Sequence, residues 1–115
     1  MTAQKKVLRL EEIEAEELHG GGVVRRIITK ATTGIDITFS QARLTPGAGH
    51  TWHTHEKEDE AVFVLSGKGT MYFEDEEVKY EPNMSIIIPR GVKHQNINTS
   101  DEEIVLVSMF NPAIR

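Results

Sequence analysis

The chain has 115 residues, no cysteine and a formal net charge of −5. A length of this order forms one domain that buries roughly two-thirds of its unfolded surface, enough for an ordinary hydrophobic core. Without cysteine there are neither disulfides nor thiolate metal sites, so histidine and carboxylate are the strong ligands that remain. The basic residues are scattered apart from Lys5-Lys6 and Arg25-Arg26, which offers no electrostatic footprint for nucleic acid.

The N-terminus, MTAQKKVLRLEEIEAEE, turns acidic before the apolar segment of a secretory leader can develop, and no run of about 18 apolar residues follows. The expectation is a cytoplasmic protein with no membrane and no nucleic acid among its partners. Val7, Leu8, Leu10, Ile13 and Leu18 are interspersed with five glutamates, a mixed pattern that reads as a short strand followed by a helical turn. Gly20-Gly21-Gly22 interrupts it. Residues 1–22 are therefore set apart as an arm, the segment a strand exchange between subunits would use, and 23–115 as the body of the domain.

Val23 to Thr29 is rich in β-branched residues and predicts a strand, and Thr32-Thr33-Gly34 predicts a turn. Ile35 to Leu44 alternates, with Ile35, Ile37, Phe39 and Gln41 on one face and Asp36, Thr38, Ser40 and Ala42 on the other. Thr45-Pro46-Gly47 ends that strand. Further short strands are predicted at Thr70 to Phe73, Val78 to Tyr80, Met84 to Ile88, His94 to Asn98 and Ile104 to Phe110, with the unbroken apolar run 84–88 expected to be covered on both faces. About nine strands, turns every 6 to 12 residues and at most one helical turn make an all-β sandwich or barrel.

The stretch Gly47 to Gly67 carries the chemistry. On a strand, side chains at i and i+2 share a face about 6.5 to 7 Å apart, so His53 and His55 can grip one ion between them. Glu60 returns on the next strand as a third ligand, after the polar connector 56–59. Five histidines limit the choice of a fourth. His19 lies in the glycine-rich arm, and His50 is at odd separation from His53 and His55, on the opposite face unless a bulge intervenes. His94, just past Pro89-Arg90-Gly91, fits best.

These residues resemble the cupin superfamily. Its first motif, G-x5-H-x-H-x4-E-x6-G, is met by Gly47, His53, His55, Glu60 and Gly67; its second, G-x5-P-x-G-x2-H-x3-N, by Pro89, Gly91, His94 and Asn98, with Asn83 where glycine is usual. Asparagine tolerates the left-handed backbone that such a position requires. The resemblance, to a small single-domain cupin, implies a conical double-stranded β-helix barrel of jelly-roll type. It also implies a metal held by His53, His55, Glu60 and His94 with two coordination positions open to the barrel mouth. Three imidazoles and a carboxylate suit manganese, iron, nickel, cobalt, copper or zinc.

The function expected is that of a metalloenzyme acting on a small organic substrate, with the metal polarising a bound oxygen in dioxygenase, isomerase, decarboxylase or lyase chemistry. The alternative is a non-catalytic small-ligand or metal-binding protein. Thr51 by parity shares the ligand face, Gln41 is placed near the pocket, and Arg43 is in phase to counter a substrate carboxylate, so all three are candidate substrate contacts. His50, Glu58 and Asp59 are candidate acid/base groups near the mouth. Trp52 is out of phase with the ligands and is expected to pack away from them. A homodimer is expected, formed through the strand 23–28, Trp52 and the last strand.

Overall fold

The computed structural model describes residues 6–115. After a 3-10 turn at Leu10–Glu12 come β1 (Ala15–Glu17), β2 (Val23–Ile28), one turn of helix α1 (Lys30–Thr33), β3 (Thr38–Leu44), β4 (Gly49–His53) and β5 (Asp59–Ser66). These are followed by β6 (Gly69–Phe73), β7 (Glu77–Tyr80), β8 (Ser85–Ile88), β9 (His94–Ile97) and β10 (Ile104–Asn111). Two antiparallel sheets result, one of order β1-β2-β3-β10-β5-β8 and one of order β4-β9-β6-β7. This is the all-β barrel expected. The N-terminal order is the reverse of the prediction, turn first and strand second, and β1 pairs with β2 of its own chain, Glu16 opposite Val24.

The predicted turn at 32–34 tightens into α1, because Thr29 Oγ1 accepts from Thr32 N at 3.1 Å as an N-cap and Gly34 at φ 77° closes the other end. Among the described residues no helix is long and apolar enough to cross a membrane.

The core is a cluster that includes Leu44, Val62, Val64, Met71, Ile86, Ile88, Ile104 and Leu106, contributed by both sheets. Burial of each such side chain stabilises the fold by roughly 1.5–3 kcal/mol. Two predicted faces are corrected. In β3 the buried side chains are Thr38, Ser40 and Leu44, not the Phe39 and Gln41 set. In β8, Ile86 and Ile88 are buried while Ile87 is 74% exposed, so that strand is covered on one face only. Both corrections have one cause: the outer face of the large sheet is itself apolar, and hydrophobicity alone does not tell its two faces apart.

Asn98 staples the strands together. Its buried amide donates to the carbonyls of Leu44 at 2.8 Å and Glu102 at 2.6 Å, while its Oδ1 accepts from Ser100 N at 2.9 Å and Ser100 Oγ at 2.6 Å. Asn83 adopts φ 73°, the left-handed conformation expected at the position where the motif has glycine.

Candidate metal centre

His53 ends β4, His94 begins β9, and the two stand opposite one another in the register of that antiparallel pair. Their ring centroids lie 4.2 Å apart. His55 is beyond the end of β4, so the i, i+2 strand geometry expected for His53 and His55 is not what joins them. A latch holds His55 instead: Gly91, at φ 83°, donates its backbone N–H to the His55 carbonyl at 2.8 Å, tying the Pro89-Arg90-Gly91 turn to the histidine loop. The His55 ring stands edge-on to Phe110, centroids 4.9 Å apart. One ring nitrogen from each of His53, His55 and His94 falls within 4.8 Å of the others.

The tautomers follow from the partners. Nδ1 of His53 donates to the Thr51 carbonyl at 2.6 Å, and Nδ1 of His94 to the Val92 carbonyl at 2.9 Å. A carbonyl can only accept, so Nδ1 carries the proton in both rings and Nε2 presents its lone pair. Burial lowers the pKa of His53 against the opposing pull of the Thr51 carbonyl, and burial lowers that of His55 against Glu60. His94 goes the other way. Burial would lower its pKa, but the Glu60 carboxylate and the Val92 carbonyl outweigh it.

Glu60 stands near the start of β5, flanked in the sheet by Phe110 and Ile88. Its Oε1 lies 3.5 Å from His94 Nε2 and 3.8 Å from His55 Nε2, and it is buried without a hydrogen-bond partner. A buried carboxylate oxygen left unpartnered among imidazole nitrogens is costly unless a cation completes it. The donor set therefore fits a divalent transition metal: three imidazole nitrogens cluster within 4.8 Å of one another, and the Glu60 carboxylate stands 3.5 to 3.8 Å from two of them.

The cluster forms one end of a cavity of about 210 Å³ whose walls include Val24, Ala42, Leu44, Val62, Met71, Ile88, Leu106 and Phe110. A second, more open cavity of about 360 Å³ adjoins it, lined by Glu16, Leu18, His19 and Thr51 among others. Val24, Arg26, His50, His53 and Arg115 belong to both walls.

His50 is in this boundary because the β4 to β9 pairing slips between His50 and His53, the bulge that reverses its parity. Desolvation lowers its pKa to about 4, with the neighbouring His53 adding to the effect.

The other sequence candidates are placed as follows. Thr51 lines the outer cavity and holds His53 through its carbonyl. Gln41 and Arg43 are corrected: Ala42 and Leu44 are the β3 residues that line the inner cavity, so these two occupy the opposite face, and Arg43 Nη1 donates to Glu103 at 2.9 Å. Asp59 is clamped by Arg90, which donates from its backbone N, Nε and Nη2 at 2.9, 3.2 and 3.0 Å and lowers the carboxyl's pKa. Glu58 lines neither cavity, and neither does Trp52, whose ring is 5.8 Å from Lys93 Nζ. Arg26, Asn96, Ser108 and Arg115 in the inner wall were missed. Arg26 alternates with Val24, but no pattern in β2 says which of its faces is inside.

The cupin domain family model matches residues 40–110. Among curated proteins, the polyketide synthase CurC of Streptomyces cyaneus is 28% identical over 108 residues, 93% of this chain and 70% of that protein. Among solved structures, a predicted oxalate decarboxylase from Thermotoga maritima superposes with a TM-score of 0.81 at 22% identity, covering 90% of this chain and 96% of the other. The polyketide cyclase RemF from Streptomyces resistomycificus gives 0.80 at 18% identity, covering 93% and 79%. These superpositions establish the shared fold. The family match spans the whole imidazole cluster as well as Glu60, and by it this chain belongs to the cupin domain family.

Proposed function

We propose that the chain is a metalloenzyme that activates an oxygen of a small organic substrate at a centre held by His53, His55, His94 and Glu60. The observation that carries this reading is the unpartnered Glu60 Oε1, 3.5 Å from Nε2 of His94, whose Nδ1 is already committed to the Val92 carbonyl, and 3.8 Å from Nε2 of His55. When bound, a divalent transition metal supplies a Lewis acid that polarises a carbonyl or stabilises an enolate.

The chain's own residues do the rest. The Val92 and Thr51 carbonyls hold two rings in one tautomer and orientation, with Nε2 of each directed into the cluster. The apolar walls keep bulk water from the reacting oxygen and strengthen every electrostatic interaction there. Among the described residues, Glu60 is the one acidic residue in the inner cavity wall, so no second carboxylate stands beside it as a separate proton donor. That favours cyclisation, isomerisation or elimination on a carbonyl compound over a decarboxylation needing such a donor.

The test is metal content of the purified protein by mass spectrometry, with His53→Ala and Glu60→Gln in parallel. About one metal per chain is expected in the parent, with loss in His53→Ala and a 10- to 100-fold weaker affinity in Glu60→Gln. Equal metal content in all three overturns the reading. Loss of turnover on a carbonyl substrate, in step with loss of metal, then separates the enzyme from a binding protein.

A further inference from the structure

The inner cavity wall carries one cationic side chain besides the imidazoles and Glu60 that lies at the boundary with the outer cavity and is well buried: Arg26, only 15% exposed, which shares that boundary with His50 and His53. Its Nε donates to Glu16 Oε2 at 2.9 Å. Among the described residues the guanidinium makes no other side-chain hydrogen bond, so four of its five N–H donors have no protein acceptor. Arg115 Nη2 approaches the other oxygen of Glu16 at 3.8 Å. Two guanidinium groups thus share the Glu16 carboxylate at the boundary of the two cavities.

Arg26, His50 and His53 line the inner and the outer cavity alike, so the guanidinium stands in the same chamber as the imidazoles. Among the described residues no Arg26 nitrogen is a buried donor without a partner, so its free N–H groups open to the cavity, where an acceptor on a ligand can replace water. A planar carboxylate fits the guanidinium fork with two parallel bonds. The cavity, about 210 Å³, is smaller than the roughly 300–1,000 Å³ of sites for drug-sized ligands, so the body carrying that carboxylate is small.

We propose that Arg26 is the recognition residue for a carboxylate on a small, otherwise apolar substrate, whose second oxygen is directed at the imidazole cluster in the same cavity. Glu16, on β1, holds the Nε edge of the guanidinium and leaves the Nη edge for the substrate. The orientation of the second oxygen rests on the metalloenzyme reading; the carboxylate end stands on Arg26 alone. The carboxylate-countering arginine that the sequence pattern assigns to position 43 is therefore reassigned to position 26.

The experiment is a titration of the full-length protein, its metal content measured in the same sample, with benzoate and its neutral isostere benzamide at pH 8, followed by ¹H–¹⁵N chemical shifts. Benzoate is expected to bind and benzamide to bind at least about tenfold more weakly, with shifts centred on β2. Arg26→Gln should weaken benzoate at least about tenfold, and Glu16→Gln, which removes the competing negative charge, should tighten it several-fold. The Glu16 variant keeps the test decisive if Arg26→Gln does not fold. His53→Ala separates this proposal from the metal reading: benzoate retained in a metal-depleted variant supports Arg26 as its holder. Benzoate lost in His53→Ala but unaffected by the changes at 26 and 16 assigns the carboxylate to the metal and overturns the proposal. Equal affinity for benzoate and benzamide overturns it as well.

Discussion

Asn98 makes four hydrogen bonds from one buried amide, two as donor to carbonyls and two as acceptor from Ser100. Alanine there strands the Leu44 and Glu102 carbonyls without those partners, and each loss costs on the order of 1 kcal/mol, with more for a buried group left unsatisfied. Asn98→Ala is expected to lose about 2–4 kcal/mol in urea unfolding, while its three imidazoles stay in place. The histidines make the molecule sensitive to acid in a definite sense. His50, His53 and His55 have folded-state pKa values below the ordinary imidazole value of about 6.5, His50 at about 4. The unfolded chain therefore binds more protons between those limits, and the stability that the neutral rings contribute is complete above about pH 6.5 and lost as pH falls toward 4. His94, with a raised pKa, opposes this in part. The melting temperature should fall between pH 7 and pH 5, and His50→Gln should reduce that fall; an equal fall in both proteins rules out His50 as a contributor.

At the scale of elements, the pairing of β4 with β9 decides whether the site exists, since it brings His53 opposite His94. Gly49 sits in that pairing at φ 145°, and a Cβ there would collide with the Asn96 carbonyl on the facing strand. Gly49→Ala forces the two strands apart and is expected to weaken metal binding even though no ligand is changed. Metal affinity and melting temperature measured together check this, and unaltered affinity counts against it. The identities of the converging residues were legible in the sequence because histidine and glutamate at motif spacing carry chemistry that few other arrangements explain. Their geometry was legible only in part. His55 left the strand because a backbone hydrogen bond from Gly91 holds it, and His50 joined the cavity because of a bulge that nothing in the alternation of residues announces. Thr38 and Ser40 turned inward for a third reason: Phe39 and Met109 pair on the outer face and make it apolar.

For the whole molecule that outer face is the outstanding surface. Phe63 and Leu65 on β5, Ile87 on β8 and Met109 on β10 are all large, apolar and at least 38% exposed. The register sets Met109 beside Ala61 and Ala61 beside Ile87, so the patch is continuous across three strands. A continuous exposed apolar patch on a small domain marks an association surface. We therefore expect a dimer formed through this sheet, a location that keeps the last strand of the sequence expectation and sets β5 and β8 beside it in place of the strand 23–28 and Trp52. Ile87→Glu should convert it to a monomer on size exclusion at micromolar concentration without changing metal content, and a parent protein that elutes as a monomer would sink the idea.

The alternation of the large sheet bears on how such a protein can diversify. Along β3, β5 and β10 the residues Ala42, Val62, Leu106 and Ser108 face the cavity, while Gln41, Phe63, Val107 and Met109 face outward. Two surfaces are written in one stretch of chain in interleaved positions. Under the proposed function and the expected dimer, a substitution at one position reshapes the chamber while its neighbour, one residue away, belongs to the association surface. Substrate choice and quaternary structure would then drift independently, and directed libraries restricted to the cavity-facing positions are expected to alter the ligand while leaving the elution volume of the parent unchanged.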